Sequence, residues 1–168
     1  MPVLVVETGA GLSNSNSYCT TDEADEYHEM RLHNTTWTDS SDDTKEAALM
    51  WATKLLDSNV KFDGLKYTED QALEWPRDGV LDRGGYEIDV DEIPSFLKDA
   101  TAEFAMWLIA SDLTADDATS GYKRIKAGSL ELEVNKWDRR GIVPRAVWAI
   151  IRFCAIKSSS KSRYTVRV

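Results

Sequence analysis

Residues 94–113, PSFLKDATAEFAMWLIASDL, decide the fold class. Leu97, Ala100, Phe104, Trp107 and Leu108 recur at spacings of three and four, one broad face of an amphipathic helix, and Pro94 stands where helix starts favour proline. The spacing predicts a helix over 96–113 at the centre of the core. A second helix is predicted over 45–58, where Ala48, Leu49, Ala52, Leu55 and Leu56 form an apolar stripe behind the cap-forming Asp39-Ser40-Ser41-Asp42-Asp43.

Working outward, Thr20 or Thr21 caps a helix running to about Leu32, with Asp22 and Glu23 at the positive end of its macrodipole. Thr68-Glu69-Asp70-Gln71 has the capping-box pattern, so a short helix is expected up to Trp75, where Pro76 ends it. Val3–Val6 is β-like, 9–17 is a polar loop, and 76–91, with three glycines, is a long loop of the kind that usually serves a function or a partner. Downstream, Leu130-Glu131-Leu132-Glu133-Val134 alternates with period two, predicting a strand that hairpins with Tyr122–Lys126. Pro144 opens a last helix to about Ile156, with Val147, Ile150, Ile151 and Cys154 on its apolar face. The expected fold is mainly α: a bundle of about four helices in a single domain, 1–156, with a minor β-hairpin at about 122–135. A flexible basic C-terminal arm, 157–168, completes it.

The chain has 168 residues, 42% apolar and 29% charged, which suits one globular domain and excludes disorder and rod-like folds. Its apolar runs fall far short of the ~20 residues that span a bilayer, and its N-terminus has no basic segment of a secretory signal. A soluble protein made in the cytoplasm is expected, with Cys19 and Cys154 as reduced thiols. The net charge of −9 is unevenly spread: residues 1–120 hold 8 Lys and Arg against 26 Asp and Glu, and residues 121–168 hold 12 against 3. Such segregation suits an arm that meets a negative surface, and equally suits neutralisation within the molecule.

Motifs for chemistry fail on geometry. Asp22-Glu23-Ala24-Asp25 spells a helicase motif but lacks a phosphate-cradling loop before it. His28 and His33 lie five residues apart, about 140° apart around a helix, and cannot share one zinc ion. Gly9-Ala10-Gly11 lacks the third glycine of a dinucleotide site, and no nucleophile, base and orienting acid assemble locally. No catalytic residue, cofactor or metal is expected, and the protein is expected not to be an enzyme.

The segments Ser17–Tyr27, Trp37, Lys45–Asp57, Phe62-Asp63-Gly64, Gln71–Val80 and Ile93-Pro94 with its Ala-rich helix together resemble small neck proteins of tailed bacteriophages. These are head-to-tail connector adaptors, or head-completion proteins, some of which carry the label DnaT-like single-stranded DNA-binding protein. The resemblance spans roughly residues 17–113. It implies a structural virion protein at the neck, in a dodecameric ring beneath the portal, contacting the portal protein, its own copies and a tail-side neck or tail-completion protein. Double-stranded DNA would pass through without specific binding, along a wall dominated by carboxylates. The interface residues expected are Trp75, Pro76 and Arg77 in the loop, Val147, Ile150, Ile151 and Arg152 on the last helix, and Lys157, Lys161, Arg163 and Arg167 in the arm. The alternative is a single-stranded DNA-binding replication accessory protein. Such binding asks for aromatics within a basic groove, and only Lys136-Trp137-Asp138-Arg139-Arg140 and the end near Tyr164 fit that pattern.

Overall fold

The helix predicted at the centre is the centre. In the structure, a computed structural model that describes residues 3–115, 124–127, 130–133 and 141–158, it spans Ser95–Ala110 and is buried along its middle from Ala100 to Met106. Counted in chain order among the described residues, the helices are α1 (Thr21–Glu29), α2 (Thr35–Thr38), α3 (Asp42–Asn59), α4 (Ser95–Ala110) and α5 (Arg145–Ile151). The strands are β1 (Val60–Phe62), β2 (Leu65–Lys66), β3 (Arg77–Asp78), β4 (Arg124–Ala127), β5 (Leu130–Glu133) and β6 (Ala155–Lys157). The fold is mainly α with a small β-hairpin: α1, α3 and α5 pack on α4, and β4 pairs antiparallel with β5, Arg124 opposite Glu133 and Ala127 opposite Leu130.

The strong local signals act as predicted. Thr20 and Glu23 form a reciprocal capping box at α1, Thr20 Oγ1 accepting from the Glu23 N–H at 3.1 Å and Glu23 accepting from the Thr20 N–H at 2.8 Å. Ser41 caps α3, and Leu49, Ala52, Leu55 and Leu56 of its apolar stripe are buried. On α4 the buried carboxylate of Glu103 is enclosed by Arg31 at 2.8 Å, the Tyr27 hydroxyl at 3.2 Å and the Trp107 indole N–H at 3.0 Å. A carboxylate this deep is tolerable only with such partners.

Several expectations need correction. Helix α1 ends at Glu29, three residues before Leu32, because the Arg31 N–H and the Asn34 side chain both take the His28 carbonyl and His33 turns to a φ of 60°. The predicted helix at 68–75 does not form. Gln71 Oε1 does accept from the Thr68 N–H, but the N–H groups of Ala72, Glu74 and Trp75 go to Leu12, Asp57 and Tyr18, so no helical ladder closes. The loop 76–91 is partly built: β3 pairs antiparallel with β2, and Leu81 bridges Glu87. Helix α5 stops at Ile151, not Ile156, because Arg83 donates to the carbonyls of Ala149 and Ile150 at 3.0 Å each and holds its guanidinium 5.1 Å over the Phe153 ring. The chain then enters β6, antiparallel to β1, so Lys157, the first residue of the predicted flexible arm, lies in a strand opposite Val60.

The polar run after the N-terminal strand-like segment is held by one carboxylate. Glu7, 2% exposed, accepts through Oε1 from the N–H groups of Thr8, Gly9 and Gly11, and through Oε2 from the Leu12 N–H and the Ser15 hydroxyl, all within 2.9–3.1 Å. Gly9, at a φ of 102°, is required there: a Cβ would meet the Asp91 carbonyl oxygen at 1.7 Å. Replacing Glu7 with Gln turns an amide NH₂ toward N–H donors and orphans at least one of them, so Glu7→Gln is expected to lower stability by about 2 kcal/mol, read by chemical denaturation. A variant as stable as the parent would show that the carboxylate does not organise this loop.

Candidate functional site

The segment Trp75-Pro76-Arg77, predicted as a partner-facing loop, is inside the molecule. Trp75 is fully buried, packed edge-on to Phe62 and Phe96 with ring centroids 5.9 Å away in each case, and Pro76, reached through a cis peptide bond, is buried beside it. Arg77 is 7% exposed and binds four groups of its own chain. Its Nε donates to the Asp63 carbonyl at 2.7 Å, Nη2 to the Gly64 carbonyl at 2.8 Å, and Nη1 to the Glu74 carbonyl and carboxylate at 3.0 and 2.9 Å. The planar guanidinium ties the turn between β1 and β2 to the approach to β3, a job for its fixed fork of donors. These three residues therefore position a site, and the free surface lies next to them.

That surface is a groove of about 600 Å³ between α3 and residues 72–73, lined by Ala47, Met50, Trp51, Lys54, Asp57 and Leu73 among others. Trp51 is 42% exposed, whereas Trp37 and Trp75 are wholly buried, and the Lys54 ammonium lies 5.6 Å from its ring centroid. Among the described tryptophans Trp51 is the exposed one. Periodicity held the signal: Trp51 is about 100° around the helix from Ala52, the middle of the apolar stripe, and falls outside its edge at Leu55.

At the inner end of the groove the Tyr18 hydroxyl donates to Asp57 Oδ1 at 2.5 Å and accepts from the Trp75 N–H at 3.3 Å, while Asp57 Oδ2 accepts from the Glu74 N–H at 3.1 Å. Burial pushes the Asp57 carboxyl up to about 6, outweighing the two hydrogen bonds that favour its ionised form. Burial and the adjoining Asp57 charge push the Tyr18 phenol well above its ordinary value. Burial likewise raises the Cys19 thiol, and raises Cys154 to about 12; both are free cysteines in apolar surroundings, which makes them inert packing residues.

The remaining predicted site residues scatter. Val147 and Ile151 are wholly buried on the α5 face that packs against α4, so the apolar face expected to dock on a partner belongs to this chain's own core. Ile150 is half-buried, and Arg152 is exposed at the C-cap of α5. Lys157 is exposed on β6 with its ammonium 5.7 Å from the Trp148 ring centroid. Lys161, Arg163 and Arg167, with Lys136–Arg140 and Tyr164, lie outside the described residues. Among the described residues, no group of three or more His, Cys, Asp or Glu is placed to hold a metal ion, and no helix is long and apolar enough to cross a membrane.

A family model described as "Putative DnaT-like ssDNA binding protein" matches residues 3–168, and the chain belongs to that family. No curated protein and no solved structure matches it.

Arg77→Lys keeps the charge but cannot reach three carbonyls at once, and Arg77→Ala abandons all of them. Stability is expected to fall by about 2 to 4 kcal/mol in Arg77→Ala and by less in Arg77→Lys, read by thermal melting. Equal stability of all three proteins would contradict the cross-linking role. A pH test isolates Asp57. Because its folded pKa lies above its unfolded value of 3.8, the folded protein holds the extra proton between about pH 4 and 6. Its contribution to stability is therefore lost as pH rises through that window. Measured against Asp57→Asn, the parent's melting temperature is expected to decline from pH 4 to 6.5, and a constant difference would show a solvated carboxylate.

Proposed function

We propose that the chain is a non-enzymatic single-stranded DNA-binding protein whose basic C-terminal segment supplies the contacts to phosphate. The observation that carries this reading is the family match across residues 3–168. Charge segregation supports it: residues 121–168, with 12 Lys and Arg against 3 Asp and Glu, are the part of the chain that attracts a polyanion, and Lys136-Trp137-Asp138-Arg139-Arg140 adds an aromatic among the cations.

A second reading is favoured by a different observation. Residues 1–120 hold 26 Asp and Glu against 8 Lys and Arg, a surface that repels DNA, and the resemblance to connector adaptors points to a ring between portal and tail with carboxylates along its channel. In that reading the protein is a virion component of the neck. Its partners are the portal protein, copies of itself and a tail-side protein, and the genome passes without adhering.

One titration separates them. With a fluorescently labelled oligothymidylate at physiological salt, single-stranded DNA binding predicts micromolar or tighter affinity, and a log–log salt dependence of about −0.7 for each phosphate neutralised. The connector reading predicts no saturable binding and co-sedimentation of the chain with portal rings.

A further inference from the structure

We propose that the groove beside α3 is a stacking platform for a base of single-stranded DNA, with the indole of Trp51 as the platform and Lys54 as its contact to the adjoining phosphate. This rests on the single-stranded DNA-binding reading and gives it a site on the described body, separate from the basic C-terminal segment.

The chemistry of the groove points to a base and not to an aliphatic side chain. An indole left 42% exposed on a helix with a well-formed apolar stripe is only partly used for packing, and a lysine ammonium lies over the ring, 5.6 Å from its centroid. A positive charge next to an accessible aromatic ring is the unit from which sequence-tolerant single-strand binding is built. Met50, Ala47 and Leu73 provide apolar walls, and about 600 Å³ is within the range of small-ligand clefts.

The polar side chains of the groove each make a bond within the fold, which fixes their orientation. Asn16 accepts from the Val5 N–H and donates to the Val3 carbonyl. Ser15 donates to Glu7, and Ser58 donates to the Leu55 carbonyl. Asp57 has one oxygen on Tyr18 and the other on the Glu74 N–H. Each of these groups is held in place by a bond within the fold, and the largest contact offered to an entering base is the face of the indole. Stacking on such a face tolerates any sequence, because every base has a π-face. The negative charge of Asp57 lies at the inner end, where a base and not a phosphate sits.

The test uses the full chain and oligothymidylate, oligodeoxyadenylate and oligodeoxycytidylate probes in fluorescence anisotropy. Trp51→Ala is expected to weaken binding about tenfold or more, the worth of one stacked base, and Trp51→Phe to retain most of it. Lys54→Glu, on an exposed side chain whose loss does not threaten folding, is expected to weaken binding severalfold and to flatten the salt dependence. The three probes are expected to bind alike. Trp51→Ala and Lys54→Glu proteins that bind within twofold of the parent would overturn the platform while leaving the DNA-binding reading intact. Absence of binding by the parent would overturn that reading, and the platform with it. A change in oligomeric state in Trp51→Ala with unchanged DNA affinity would reassign the groove to contact between copies and overturn the platform.

Discussion

The hydrogen bond between the Tyr18 hydroxyl and the Asp57 carboxylate joins parts of the chain that have no regular structure in common. Tyr18 lies on the link before α1, Asp57 in the last turn of α3, and both reach the backbone of residues 74–75. Residues 67–76 make no helix or extended sheet, so their backbone donors need partners elsewhere. Asp57 and Tyr18 supply two of these, Leu12 a third, and the side chain of Gln71 bonds the Thr68 N–H and the carbonyls of Leu73 and Pro76. This set, with Arg77 on the Glu74 carbonyl, holds the backbone path that keeps Trp75 between Phe62 and Phe96.

Single charged side chains repeatedly do the work of secondary structure here. Glu7 gathers the polar run 8–15, Arg77 joins the turn after β1 to Glu74, Arg83 closes the end of α5, and Glu103 anchors α1 to α4 through Arg31 and Tyr27. Each replaces several weak local preferences with a cluster of charge-assisted hydrogen bonds, individually stronger than neutral ones. Among the described residues, much of the sparse supply of basic side chains in the acidic body is used in this way. Arg31, Lys45, Lys66, Arg77 and Lys98 are in ion pairs with Glu103, Asp25, Glu74, Glu74 and Glu23, whereas Lys54 lies over Trp51.

The helices were legible because their signals are local. The N-cap at Thr20 or Thr21, the stripe on Lys45–Ser58 and the broad face of 96–113 each state their structure within a few residues, and the alternation at 130–133 does the same for a strand. Two of the failures share one cause. At Thr68 a correct half of a capping box was overruled by distant donors and acceptors, and at Ile151 the helix was ended by an arginine 68 residues earlier. Periodicity carries no information on such contacts. The same limit governs the site: Trp75 and Arg77 attract attention in the sequence, but Asp63, Gly64 and Glu74 claim Arg77, and only the folded chain shows it. Val147 and Ile151 carry a genuine apolar face whose partner is α4 of the same molecule.

The position of Trp51 follows from the geometry of α3, and the wall facing it is bonded to the same helix. A helix of 18 residues that buries a stripe of about 120° has flanks that meet solvent, and at one flank this helix places an indole with a lysine three residues on. Opposite stands Leu73, within the irregular segment held down by Tyr18, Asp57 and Gln71. The interaction that organises the unstructured segment therefore also fixes the second wall of the groove against the first. A cleft whose two walls are bonded together before anything enters it loses little conformational freedom on binding, so more of the stacking energy of a base remains as affinity.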